Sequence, residues 1–425
     1  MRQSKMASIL GLLMAVAMLL AACPAPAPAP AGGESSGDTA AATGGDEAAG
    51  CTDAIGCVEV AAGAPIRVAS ALVVTGPNEQ LGLDSQYGIE IALDFRGEVL
   101  GHSVELQAED DGCSAEGGQT AGQKIVSNPD IVGVIGTSCS GAGVPMSQIV
   151  CDAGIVMISP SNTAPVLTDP ASRQPCYFRT AHNDKVQGAA MANYAYNDLG
   201  IRKAAAIHDG DPYTEGLASV FRDAFTELGG EIVAFEAEAA DATNVQPILT
   251  SVAAAGPELI YYPVFIPLGS LITKTAKEVD GLQDVILAAA DGVQSPDFLE
   301  NAGAAAEGMY VSGPDLSFGN ETYDQFLAAY SEKYGTDPLS VFHAHAFDAT
   351  NMLLDAIEAV AVQNDDGSLT IGRQALIDAV GATSGLAGIT GTITCDENGD
   401  CADPKISVSQ VNGGAFEAIW QYSVE

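Results

Sequence analysis

Two short stretches gather small hydroxyl side chains at the ends of apolar runs. Ser138, Cys139 and Ser140 follow the run 131–135, and Ser159, Ser161, Asn162 and Thr163 follow the run 155–158. Such residues, with free backbone N–H groups beside a helix N-terminus, suit a carboxylate or another small anion. The other chemistry these residues could support is nucleophilic. Gly136-Thr137-Ser138-Cys139-Ser140 approaches a nucleophile elbow, but Ser140 stands where the last glycine belongs. Of His102, His182, His208, His343 and His345, only His208, at the end of a strand, is a fair candidate base, so a serine hydrolase is a minor alternative. Metal chemistry finds less support. His343 and His345 are two apart on a helix and point away from each other. Asp396, Asn398 and Asp400 echo a calcium loop, but the glycine and terminal glutamate are not at its spacing, and a turn is expected. No metal, cofactor or catalytic residue is expected.

The elements that must position these loops are regular. The runs 131–135 and 155–158 are rich in β-branched residues, as in strands covered on both faces. Between them Pro145 fits a first helical turn and Gly154 a helix stop. So short a strand–helix–strand unit makes two neighbouring parallel strands whose carboxyl ends lie side by side. The same rhythm runs from a strand at 66–74 to one at 177–180. It restarts at 204–208 and continues through 232–235, 259–262, 285–289 and 309–312. Two such runs predict an α/β protein of two similar lobes, each a mainly parallel sheet covered by helices on both faces. The last long helices are expected over 323–334 and 342–361. From 391 onward short strands follow, with turns at 397–400 and 412–414.

Composition narrows the partners. Acidic residues outnumber basic ones 55 to 16 in 425 residues, a net charge of −39. Nucleic acids and anionic lipids need clustered Lys and Arg, so neither is an expected partner. The charge is spread along the chain, which reads as a solvated surface. The start of the chain reads as a leader, with Arg2 and Lys5, an apolar core over 6–19, then Leu20-Ala21-Ala22-Cys23. Leu-Ala-Ala-Cys is similar to the bacterial lipobox, whose cysteine becomes a diacylated N-terminus; the alternative is an uncleaved membrane anchor. Residues 24–50 alternate Ala-Pro and then turn to Gly, Ser, Thr and acids, a tether of roughly 30 Å root-mean-square reach. Nine cysteines less Cys23 leave eight, an even number that suits disulfides in an exported protein. Cys51 with Cys57 and Cys395 with Cys401 each flank a short loop.

The loops GTSCS and ISPSNTAPVLT resemble the ligand loops of the bacterial Leu/Ile/Val-binding family of periplasmic binding proteins, and the likeness spans roughly 65–422. It implies the two-lobed type I periplasmic-binding-protein fold with a hinged cleft. The implied layout is a signal peptide over 1–22, a lipidated cysteine and linker over 23–50 and a stapled lead-in over 51–64. The first lobe would take 65–180 and 314–388, and the second 181–313 and 389–425, with crossings near Thr180, Gly313 and Gly388. Cys113 and Cys139 stand where the family has a disulfide, which leaves Cys151 and Cys176 to pair. Ser140 and Thr163 match positions that hold the ligand carboxylate, and Ser161 one whose carbonyl meets the ammonium. Tyr213, in HDGDPYTEGLA, matches a pocket tyrosine; Asp291, in AAADGV, stands where an acid pairs with the ammonium. Phe265 and Phe342 match aromatic walls, and Leu81 falls where relatives carry a tyrosine, which makes this pocket more apolar.

The implied function is that of the substrate-binding lipoprotein of an ABC importer, monomeric and not an enzyme. It would bind branched-chain or related apolar amino acids outside the cytoplasmic membrane and deliver them to a permease. The alternatives are a binding protein for amides, urea or another small carboxylate, and the ligand-sensing component of a receptor system.

Overall fold

The computed structural model describes residues 51–423. The leader, Cys23 and the tether lie outside them. Two sheets organise the chain. In the first the strands run, in spatial order, Glu98–Val99, His102–Asp110, Ile66–Leu72, Ile131–Gly136, Val156–Ser159 and Tyr177–Arg179. All pair in parallel except the short edge strand Glu98–Val99. In the second the order is Ala415–Ser423, Lys405–Asn412, Tyr310–Pro314, Ile286–Ala290, Leu259–Tyr261, Lys203–His208 and Glu231–Ala237. Its first two strands form an antiparallel hairpin turning at Gly413 and Gly414, and the rest are parallel. Ile131–Gly136 and Val156–Ser159 are buried at every position, as strands sandwiched between helices must be.

Each sheet carries its own core. Ile66, Val134 and Ile158 pack with Leu353 and Ile357 of the helix His343–Val360 around the first. Leu249, Ile260, Ile272 and Phe298 pack around the second. The parallel architecture fixes where function can sit, because every loop at the carboxyl edge of one sheet faces the same way. The four disulfides pair Cys51 with Cys57, Cys113 with Cys139, Cys151 with Cys176 and Cys395 with Cys401.

Some expectations change. The helix after the first hydroxyl loop begins at Ser140, so Pro145 lies in its second turn rather than its first. Cys139 starts the helix early because its carbonyl already accepts from the N–H groups of Ala142 and Gly143. Gly154 does end that helix, in the left-handed region at φ +69. The lead-in was expected only to carry a disulfide. It also pairs as a strand, Cys57–Val60 against Leu369–Gly372, while Asp53 accepts from the N–H groups of Gln374 and Ala375. The last passage between the sheets falls at 402–404 rather than near Gly388. Ile393 and Cys401 are still buried in the first core, and Arg179 pairs with Asp400 there. The turn over 397–400 closes as expected, with Asp396 accepting from the N–H groups of Asn398 and Asp400.

Candidate ligand-binding site

The carboxyl edges of the two sheets face each other across a narrow cavity. From the first sheet's side it is lined by Leu81, Ser138, Cys139, Ser140 and Ser161. Tyr213, Phe265, Asp291 and Gly292 line it from the second, and Phe342 closes it near the hinge. Seven of the eight expected ligand residues therefore meet at one place. Thr163 does not line the cavity; it is buried behind it.

The first-sheet side is held by hydrogen bonds between loops. Ser138 Oγ accepts from the N–H of Val73 at 3.0 Å, and its own N–H donates to Asp111 Oδ2 at 2.7 Å. Asp111 also accepts from the N–H of Cys113 beside the Cys113–Cys139 bridge, and burial pushes its carboxyl up to about 7. Ser140 Oγ accepts from the N–H of Ala164 at 3.2 Å, tying the two hydroxyl loops together. Ser161 donates to the carbonyls of Ser138 and Thr137. Each of these hydroxyls is thus tied to the backbone. His208 instead takes the N–H of Gly210 and rests against Phe235. Asp111 stands behind this side and Asp211 faces the Gly141 N–H, so the donors left for a negative group are the hydroxyls of Ser138 and Ser140 at the start of the helix Ser140–Asp152.

The second-sheet side carries charge. Asp291 opens a turn at the end of the strand Ile286–Ala290, but its side chain caps nothing there. Its Oδ1 accepts from Gln187 Nε2 at 2.7 Å and Tyr213 OH at 3.2 Å, which leaves Oδ2 without a protein partner. Burial pushes this carboxyl up to about 6 against the lowering pull of both bonds. Gln187 is itself placed by His182, whose Nε2 meets its Oε1, and by Ser312. Tyr213 OH also accepts from the N–H of Gly292 at 3.1 Å, and the Tyr213 and Phe265 rings lie 5.3 Å apart. Phe342 is set from a distance. The buried Asp84 accepts from its N–H and from those of Leu339 and His343, and Phe342 stacks near His182.

One group was missed by sequence reasoning. Asp184 is fully buried, and neither of its carboxylate oxygens has a well-formed hydrogen bond. Burial and the neighbouring Asp291 raise it well above the usual carboxylate range, while the Thr163 hydroxyl and the Arg179 guanidinium act the other way. Its N–H donates to the Thr163 carbonyl at 2.9 Å, so the second hydroxyl loop holds it in place. In sequence it passes for a helix cap. The signal available was its position as a second acid next to Asn183, which already caps the helix Asp184–Asn193 through the N–H of Lys185.

Asp291, with Asp184 buried nearby, and the hydroxyl loops opposite can accommodate a small zwitterion, its cation toward Asp291 and its anion toward the hydroxyl loops. Among the described residues no group of three or more His, Cys, Asp or Glu is placed to hold a metal ion.

Comparison with known proteins identifies the family. The Leu/Ile/Val-binding protein homolog 3 of Brucella melitensis is 26% identical over 363 residues, covering 84% of this chain and 95% of that protein. The Leu/Ile/Val-binding protein of Escherichia coli K12 is 28% identical over 381 residues, covering 87% and 97%. The crystal structure of a leucine-binding protein from Thermotoga maritima superposes with a TM-score of 0.76 at 27% identity, over 84% of this chain and 99% of that one. Residues 65–415 match the family described as periplasmic binding protein, and the chain belongs to that family.

Proposed function

We propose that this chain captures a branched-chain or related apolar amino acid outside the cytoplasmic membrane and hands it to an ABC permease. The observation that carries the reading is the cavity where the expected ligand residues meet between the two sheets. Ser140, at the helix start, lies on one side of it, Asp291 on the other, and Leu81, Phe265 and Phe342 form apolar walls between them. An α-carboxylate, an α-ammonium and an aliphatic side chain supply the three complements. The names of the relatives support the same ligand class. The leader and the Leu-Ala-Ala-Cys segment support a lipid anchor at Cys23, with the following tether spacing the binding unit from the membrane. Among the described residues no helix is long and apolar enough to cross a membrane.

A thermal-shift screen of the soluble part, from Cys51 onward, tests the ligand class against amino acids, amides and urea. Leucine, isoleucine or valine at about 100 times its dissociation constant should stabilise the fold by roughly 2.7 kcal/mol. Shifts with amides and none with amino acids would overturn the assignment.

A further inference from the structure

The inference concerns how the cleft stays shut, and it rests on the amino acid-binding reading above. Gln80, the second residue of the helix Glu79–Arg96, reaches from the first sheet's half to the second's. Its Nε2 donates to Asp297 Oδ1 at 2.6 Å, and its Oε1 accepts from the N–H of Asp297 at 3.0 Å. Asp297 is the second residue of the helix Pro296–Ala302, whose first N–H groups have no partner within the helix. Pro296 has no N–H, and Ser295 Oγ takes the N–H of Phe298. The N–H of Asp297 is left, and only Gln80, from across the cleft, takes it.

The residue after Gln80 works in the same direction. Leu81 lines the ligand cavity and packs against the second sheet's core. At another point of the cleft Asp211 meets the start of the helix Ser140–Asp152. A Cβ on Gly141 would stand 1.9 Å from Asp211 Oδ2, so the carboxylate lies directly against that backbone. The Gly141 N–H favours the charged form of Asp211. Like the Asp211–Gly141 contact, and unlike the ligand residues, the Gln80–Asp297 pair stands outside the cavity lining.

We infer that Gln80 and Asp297 form a latch that holds the closed cleft without touching the ligand, so that Gln80 is a positioning residue for retention. The reciprocal pair exists only while the two halves are together. Its loss should therefore appear in the rate of opening rather than in the first encounter with ligand.

The test uses the soluble protein with leucine as probe. Stopped-flow and calorimetry on the parent come first; a parent that ignores leucine defeats the proposed ligand, not the latch. Gln80→Ala should then raise the dissociation rate about five- to tenfold, leave the association rate within about twofold, and shift small-angle scattering of the saturated protein toward the open form. Gln80→Met, similar in length but without an amide, should behave like Gln80→Ala, which separates the latch from packing. Adding Asp297→Ala to Gln80→Ala should cost less than the two single effects combined. A ligand-independent reading comes from hydrogen exchange of 295–299. Gln80→Ala should speed exchange at Asp297 and leave Phe298, capped by Ser295, unchanged. An unaltered dissociation rate with unaltered exchange at Asp297, or fully additive effects, would overturn the latch.

Discussion

The two sides of the cavity solve opposite problems. On the first-sheet side Ser138, Ser140 and Ser161 already bond to the backbone, at 3.0, 3.2 and 2.9 Å. That side is ordered before any ligand arrives, and the Ser138 and Ser140 O–H groups, which only accept in these bonds, can turn to a negative group with little reorganisation. On the second-sheet side the buried Asp291 takes both of its protein hydrogen bonds on one oxygen, and the fully buried Asp184 has no well-formed one on either. A buried acid without a partner is costly, and a cation relieves the cost. The nearby Arg179 shows the relieved case. Burial alone would raise Asp400, yet Arg179, Asn183 and Thr168 hold it below the usual carboxylate range. The difference assigns recognition of the anion to geometry and recognition of the cation to charge. Discrimination between an amino acid and a plain carboxylate should therefore rest on the second side.

The most direct way to break this comparison is to remove the acid that lines the cavity. Asp291→Ala leaves the ligand ammonium buried with one acid fewer, and a charge deprived of its partner costs more than an average hydrogen bond. We expect binding of leucine to weaken by at least ~2 kcal/mol, about thirtyfold. Because Asp291 belongs to the second-sheet side, scattering at fixed ligand should also move toward the open form. Calorimetry gives the first number. Parent-like affinity in Asp291→Ala would remove the charge-based half of the comparison.

Acidity sharpens it with a smaller effect. The folded carboxyls of Asp291 and Asp211 both stand at about 6, raised by burial, and that of Asp184 is raised well above the usual carboxylate range. For a raised acid, the protonated form is favoured in the folded state. Its stabilising contribution is present below the ordinary carboxylate range near pH 4 and is lost as pH climbs through the raised value. The ligand-free protein should thus lose thermal stability between about pH 4 and 7. The ammonium prefers ionised acids, so leucine affinity should rise over the same window and level off above it, by at most about tenfold per pH unit for one proton. Melting curves with and without leucine should therefore diverge as pH increases. Asp184→Asn should flatten that divergence and make the ligand-free protein less pH-sensitive. A constant separation between the curves would mean that the acids do not change ionisation on binding.

How far the sequence foretells this site follows from which groups depend on local structure. The hydroxyl loops were legible because a strand end, a small-residue loop and a helix start are consecutive in the chain. Asp291 and Tyr213 were legible through the resemblance, since each follows a strand of the second sheet. Asp184 was not, because its burial is created by the docking of the two halves and no local pattern announces it. The same holds for Gln80 and Asp297, 217 positions apart, and for Asp84, which fixes Phe342 from 258 positions away. The stretch 389–401 misled for a related reason. Its turns looked like the start of the last sheet, yet the Arg179–Asp400 pair and the burial of Cys401 keep it on the first.

Thr163 gives the smallest and most discriminating effect, because the structure sets it beside a buried acid. The resemblance placed its hydroxyl on the ligand carboxylate, whereas here Thr163 sits behind the cavity wall and helps to stabilise the charge on Asp184. Its carbonyl holds the N–H of Asp184 at 2.9 Å, a bond that alanine retains. Thr163→Ala should therefore weaken leucine binding by only ~1 kcal/mol, about fivefold, through a less readily ionised Asp184. Ser140→Ala should cost about the same for another reason, the lost tie to Ala164, and its effect should not vary with pH. The two routes separate in an Asp184→Asn background. There Thr163→Ala should have little further effect, while Ser140→Ala should keep its full effect, a coupling that calorimetry of the four proteins measures. If Thr163→Ala instead costs as much as Asp291→Ala and ignores Asp184, the hydroxyl meets the ligand itself. The first-sheet side would then contribute a direct contact from Thr163 that its hydrogen bonds in this structure do not offer.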